Sequence, residues 1–496
     1  MKQQTCRSGD GCGGRCNRRD FLASAGLAAG SLAMGALESQ VSGETPATPR
    51  KKAGATVRAV FLYPPSAQFA NDPDGWWSWP GNEFDAEGRQ KQYTAALREV
   101  EKRLGMRIVV DDRPVAGPKD VKRLTKEIQT DRPEGLLLVM FYNRSLPHAD
   151  ALLDVAGKQG VPVIFYIGLG VKHGPVAQYR RPGVYLIQSL DNFEAIENGL
   201  RMINARKLTG QSLLLSITEA KEPKEGREPF LGITVRTVPF SRYAERFRNA
   251  VLDPEARRWI ARFTDRAKES RGVRPQALEN AARAHMALKK LLAEENADGV
   301  TMNCLRRGVL KPCMSFSALN SELIPAACEN DLPAAYTQLL GQLLVGRPGF
   351  QHNPCYETER NHYYASHCTC PTKLYGPSGP ERPFLLRRFA HTNEGSCAIQ
   401  VFWNQGDPVT MVRYYPGKDP ALDVYAGQVV TSHPMPPAGG CTTNVEIRIT
   451  DRPDACMVRG HHNLLFAGDF ARRFRLFAHL HKARLAKTGF GGPWPM

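Results

Sequence analysis

An alternation of short, almost uninterrupted apolar runs with amphipathic helical stretches constrains this chain more than any other feature. Val57 to Tyr63, Arg107 to Val110, Leu136 to Phe141 and Val161 to Ile167 are of strand length and rich in aliphatic and aromatic residues. Between them, Ala86 to Leu104, Lys119 to Gln129 and Asp150 to Lys158 carry the helical period. A strand that is apolar on both faces must be covered on both, and crossovers of a dozen or more residues join parallel neighbours, so the pattern predicts a doubly wound parallel sheet. A second set starts near Val184 with Val184 to Gln188, the helix Asn192 to Ala205, Ser212 to Ile217 and Ile233 to Pro239. It continues through helices over Tyr243 to Val251, Pro254 to Lys268 and Pro275 to Glu294 to the strand Gly299 to Cys304. From about Pro383 to Leu480 the character changes. Ala398 to Asn404, Val409 to Tyr415, Gln428 to Thr431 and Asn444 to Ile449 are short strands parted by turn residues. The expected class is therefore α/β: two doubly wound parallel-sheet domains, 56–170 and 171–382, followed by a small, mainly antiparallel β domain, 383–496. No repeat of solenoid length is present.

With 496 residues, two or three domains are expected. A formal net charge of +17 raises the question of a nucleic-acid or anionic-membrane partner. The Lys and Arg are scattered among acidic residues and form no long basic block, so the reading is a solvated basic surface and no nucleic-acid partner.

Residues 1–38 read as an address. Asn17-Arg18-Arg19-Asp20-Phe21-Leu22 precedes an apolar, small-residue run from Ala23 to Leu37, which resembles a twin-arginine leader. That run is too short to span a bilayer stably, and no later segment replaces it, so no transmembrane segment is expected in the mature chain. A twin-arginine route carries proteins already folded and leads to the periplasm; a cytoplasmic location is the alternative. The stretch 39–55, rich in Ser, Thr, Pro, Gly and Lys, reads as a linker.

Of twelve cysteines, Cys6, Cys12 and Cys16 would leave with a cleaved leader. The nine that stay are odd in number and show no Cys-x2-Cys pairs of the zinc-ribbon kind. They read mostly as small buried residues, with room for a disulfide or two in an oxidising compartment.

Unusual side chains concentrate in four places. Pro325 to Asp331 is a strand-like run ending in Glu329, Asn330 and Asp331 and opening a helix from Pro333 to Val345. Asn330 or Asp331 suits the helix cap, and Glu329 then stands at the carboxyl end of a strand, where open α/β sheets bind ligands. Phe350-Gln351-His352-Asn353-Pro354 and Ala365-Ser366-His367-Cys368 are strand ends leading into loops. Arg459-Gly460-His461-His462-Asn463 precedes an apolar strand, and strand alternation would allow only one of the paired histidines into any one site.

These segments resemble one family. Glu329-Asn330-Asp331, the helix ending Gly341 to Gly346, and Phe350 with polar residues behind it are similar to the Glu-Asn-Asp, Gly-x-x-x-x-Gly and Phe-x-Asp series of the L-fucose isomerases. Ser366-His367 with Cys370-Pro371, and His461-His462 before a strand, resemble segments of the related L-arabinose isomerases, in the same order. The resemblance covers most of Ala327 to Leu480. It implies a metal-dependent aldose–ketose isomerase that interconverts open-chain sugars through an enediol, holding a divalent ion, usually Mn2+, and working as a homo-oligomer. Residue by residue it implies Glu329, His367 and His462 as metal ligands, with Glu329 and Asp331 as candidate catalytic carboxylates.

This chain departs from the family where a second acidic ligand follows the phenylalanine: His352 or Asn353 stands there, depending on where a one-residue gap falls. With His352 the set becomes one carboxylate and three histidines and shifts preference toward Fe2+, Co2+ or Zn2+; with Asn353 it has a weaker neutral oxygen. The usual pair of carboxylates is then incomplete unless Asp331, Glu357 or Asp469 supplies the second. Alternative readings are a metal-dependent sugar epimerase or lyase on the same scaffold, and a non-catalytic carbohydrate-binding protein.

Overall fold

The structure, a computed structural model, describes residues 52–70, 83–389 and 395–485. The arginine pair with its apolar run, most of the linker, and Cys6, Cys12 and Cys16 lie outside the described residues. The described end of the linker is docked: Ala55 is fully buried, and the Ala53 backbone exchanges hydrogen bonds with the Gln211 side chain at 3.0 and 2.7 Å.

Five parallel strands, β1 (Thr56–Leu62), β2 (Arg107–Val110), β3 (Gly135–Met140), β4 (Val163–Gly168) and β5 (Val184–Ser189), lie in the order β2-β1-β3-β4-β5. One face, with Val57, Ala59, Phe61, Leu137, Ile164 and Tyr166, packs on the helices Ala86–Leu104 and Phe193–Thr209. The other, with Val60, Leu62, Leu136, Leu138 and Phe165, packs on Pro118–Asp131 and Leu146–Gln159. β5 is a correction to the expected boundary near 170, because it completes this sheet instead of opening the next. The segment 169–183, whose one helical turn is the 3-10 stretch Ala177–Tyr179, is long enough to make the parallel crossover by itself.

The second sheet contains β6 (Leu213–Thr218), β7 (Lys224–Arg227), β8 (Thr234–Pro239), β10 (Gly299–Met302) and β11 (Ala326–Cys328), in the order β11-β10-β6-β8-β7. It is parallel except at β7. A helix over Cys313–Ser321 gives no periodic signal because every one of its residues is buried. The two-residue strand β9 (Ser270–Arg271) joins β14 (Phe384–Arg388) and β15 (Cys397–Val401) in a small separate sheet.

The antiparallel part is larger than expected and begins earlier. β12 (Phe350–Glu357), β13 (His362–His367), β16 (Pro408–Tyr415), β17 (Ala421–Ser432), β18 (Thr443–Ile449) and β19 (Asn463–Ala467) run β16-β19-β12-β13-β18-β17, and β16 pairs with β17. That pairing closes a six-stranded barrel, with β20 (Arg484–Leu485) added in parallel to β17. The expected start at 383 failed because β12 and β13 pair with β19 and β18, partners about a hundred residues away that no local pattern reveals. Val412, Tyr414, Leu422, Val424, Leu464 and Phe466 pack with the helices Leu332–Val345 and Ala471–Leu480 and so face outward. The alternate residues Phe350, Tyr363, Ala365, Met411, Tyr425, Ile447 and Leu465 fill the interior. No helix among the described residues is long and apolar enough to cross a membrane.

Candidate metal centre

β11 ends at Cys328, and the chain turns into the Leu332–Val345 helix through two left-handed residues, Glu329 (φ 62°) and Asn330 (φ 54°). Each costs on the order of 1–2 kcal/mol for a residue with a Cβ, so the turn must be held from outside. Gln351 does part of this: the Cys328 amide donates to its Oε1 (2.8 Å), and its Nε2 donates to the Cys328 carbonyl (3.3 Å). The Asn330 amide donates to the Met302 carbonyl (3.0 Å), and Ser216 Oγ donates to Asn330 Oδ1 (2.7 Å). Asp331 accepts from the Ala334 amide at 2.9 Å and is the helix cap.

This fixed turn sets Glu329 against the barrel mouth. His367 is the last residue of β13, and His462 immediately precedes β19 with a left-handed backbone (φ 58°). His367 Nε2 lies 3.6 Å from Glu329 Oε1, and His462 Nε2 lies 3.4 Å from Glu329 Oε2. The two rings are 5.4 Å apart and nearly perpendicular. One ligand atom from each of the three residues lies within 4.8 Å of the others, which makes them a candidate metal-ligand group.

Behind His462, its Nδ1 donates to Asp331 Oδ2 (2.9 Å), and Arg413 Nη1 donates to the same oxygen (2.9 Å) and to the His462 carbonyl (3.0 Å). His462 Nε2 is buried and has no hydrogen-bond partner, and its contact with Glu329 Oε2 at 3.4 Å is an ion pair. An imidazole held at Nδ1 by a carboxylate, with its other nitrogen open beside a second carboxylate, is what a ligating histidine requires.

The charges of the three groups are tightly linked. His367 and His462 hold the Glu329 carboxyl well below the usual carboxylate range. Burial acts to lower the His462 value, but Asp331 and Glu329 outweigh it and lift it to about 9. Burial acts to lower the His367 value, but Glu329 together with Cys328 and Cys441 outweighs it and raises it. Burial acts to raise the Asp331 value, and His462 and Arg413 bring it below the ordinary one.

Two expected residues are placed differently. His352 is not part of the group. It shares the interior face of β12 with Phe350, its Nδ1 donates to the Phe350 carbonyl (2.9 Å), and its Nε2 accepts from the Tyr363 hydroxyl (2.9 Å). With both nitrogens satisfied and full burial holding its value down to about 3, it is a neutral core residue. Alternation gives Gln351 and Asn353 the opposite face, and Asn353 Oδ1 is buried without a partner. Asp331 stands behind the group as an orienting carboxylate. Glu357 closes the far end of β12, opposite His362, and Asp469 lies beyond the far end of β19, so neither supplies a second acid.

His461 is exposed and stacks on His462 with ring centroids 4.0 Å apart. A left-handed turn, rather than the strand alternation expected, separates the pair. Arg413, Gln351 and Ser216 carried no signal in the sequence: each is an ordinary strand residue whose role comes from pairing distant in the chain. Two clefts, of about 490 and 530 Å3, are lined by other residues, among them Gln188 and Arg472 in one and Lys207 and Arg227 in the other.

No protein-family model matches the chain, and no curated protein matches its sequence.

Proposed function

We propose that this chain is a metal-dependent aldose–ketose isomerase acting on a small open-chain sugar, with Glu329, His367 and His462 holding a divalent ion. The observation that carries this reading is the convergence of those three side chains, from the end of one sheet and the mouth of the barrel, around the partnerless Nε2 of His462. Mn2+ is the ion the sequence resemblance implies; two imidazoles to one carboxylate also suit Fe2+, Co2+ or Zn2+. When bound, such an ion supplies Lewis acidity to two adjacent sugar oxygens. Asp331 and Arg413 fix the His462 ring with Nε2 toward Glu329, where a bound ion would displace the proton that this nitrogen carries at neutral pH, and Glu329, ionised at neutral pH, is the carboxylate available to a substrate proton.

One observation favours a second reaction on the same site. Asp331 is committed to Ala334, Arg413 and His462, so Glu329 is the one carboxylate of the group left for a proton, which suits elimination beside a carbonyl better than a shuttle between two acids. The proposal includes assembly as a homo-oligomer and export to the periplasm through the twin-arginine segment.

Metal content of the wild type, Glu329→Gln and His462→Ala, together with proton exchange at C2 of a panel of aldoses followed by NMR, tests it. One equivalent of bound transition metal lost in both variants, with metal-dependent C2 exchange, supports the isomerase. A protein that binds no metal and exchanges no proton removes both chemical readings and leaves a carbohydrate-binding protein.

A further inference from the structure

His367 faces two different environments. Its Nε2 looks toward Glu329, but its Nδ1 is met by a thiol, Cys368 Sγ at 3.6 Å, and not by the carboxylate or carbonyl that usually orients a ligating imidazole. Cys328, the last residue of β11, stands beside them, and one ligand atom each from Cys328, His367 and Cys368 lies within 4.8 Å of the others. All three residues are buried. Further thiols surround them: Cys304 lies beside Cys328, and Cys313 and Cys441 beside Cys368. All five cysteines share one core cluster at the back of the second sheet.

A single buried cysteine is ordinarily a small apolar residue. Two of them at one imidazole, Cys328 from β11 and Cys368 directly after β13, with three further thiols from separate segments beside them, make a donor set. A four-coordinate ion with Zn–S bonds of about 2.3 Å places its sulfur ligands about 3.7 Å apart, within the spread already present. Thiolate and imidazole donors select soft ions over Mn2+ or Mg2+.

We propose that Cys328, Cys368 and the Nδ1 of His367 form a second cation position, for a thiophilic d10 ion of the Zn2+ or Cu+ class, back to back with the Glu329–His462 position across the His367 ring. A neighbouring thiol, Cys304 or Cys441, supplies the fourth donor. Binding releases the protons of the ligating thiols and of His367 Nδ1 to solvent, and with both positions filled His367 would bridge them as an imidazolate. Cys328 and Cys368 are donors that the sugar chemistry does not need, and His367 is shared between the two positions through its opposite ring nitrogens.

The test uses the full chain, reduced and kept anaerobic, with Co2+ as the spectroscopic probe for Zn2+. The expected result is a thiolate-to-cobalt charge-transfer absorption that persists in Glu329→Gln and disappears in the Cys328→Ala/Cys368→Ala double variant. Competition with chromophoric chelators for Zn2+ and for Cu+ then tells which ion is held. Wild-type protein that takes up Co2+ without thiolate absorption overturns the proposal whether or not the double variant folds, and so does absorption lost in Glu329→Gln. Thiolate absorption retained in a protein that shows no Glu329-dependent metal leaves this position standing and sinks the isomerase reading.

Discussion

Asp331 divides its carboxylate between the start of a helix, through the Ala334 amide, and the orientation of a histidine, through His462 Nδ1 and Arg413. The two roles separate in Asp331→Asn, because asparagine caps a helix about as well as aspartate but orients an imidazole less strongly. Metal affinity should fall about 10–100-fold while the helix content is kept, as read by chelator competition and circular dichroism. His352 gives the opposite result. In His352→Leu the Tyr363 hydroxyl loses its main partner inside the barrel, so stability should drop by about 1–3 kcal/mol in chemical denaturation with metal stoichiometry unchanged. Retained stability together with lost metal would place His352 among the ligands after all. Glu329, His367 and His462 could be picked out only through the resemblance of their segments to the L-fucose and L-arabinose isomerases, since a place at a strand end does not by itself separate a ligand from an ordinary polar residue. The choice between His352 and Asn353 could not, since it depends on which face of β12 is the barrel interior.

At the scale of elements, the Leu332–Val345 helix ties the carboxylate turn to the strand that follows His462. Their approach is set by Gly341, where an added Cβ would stand 2.2 Å from the Phe466 ring of β19. Phe466 is fully buried and has no room to retreat. Gly341→Ala should therefore cost about 1–3 kcal/mol in chemical denaturation and loosen metal binding together with it, whereas alanine elsewhere on a helix would stabilise. The helices and parallel strands were readable because their periodicity is local. β5 was assigned to the wrong sheet because crossover length, rather than periodicity, decides where a parallel strand goes. The buried Cys313–Ser321 helix left no trace because a helix without a polar face has no stripe to detect.

Across the whole molecule, burial holds His285, His352 and His481 down to about 3, so all three are neutral in the folded state at neutral pH. Unfolding frees them to take protons at the ordinary imidazole value of about 6.5. Their contribution is therefore fully present above pH of about 6.5 and is lost as pH falls from there toward about 3, at up to about 1.4 kcal/mol per histidine per pH unit. Denaturation midpoints at pH about 7 and about 5 should show the chain markedly less stable at the lower value; equal midpoints would mean these rings are solvated. The overall class, parallel layers followed by antiparallel strands, was readable from the order of apolar patterns, but barrel closure was not, because it rests on pairings between distant segments. That closure also has a temporal side. Asp331 and His462 are 131 residues apart and meet only once β19 has slotted between β16 and β12. Strands so far apart in the chain pair late, after slower loop closures, and a nascent chain still lacking β19 holds Glu329 without its second histidine. The Asp331–His462 contact is thus a completion mark: a probe that reads it distinguishes a finished molecule from every shorter or half-assembled one.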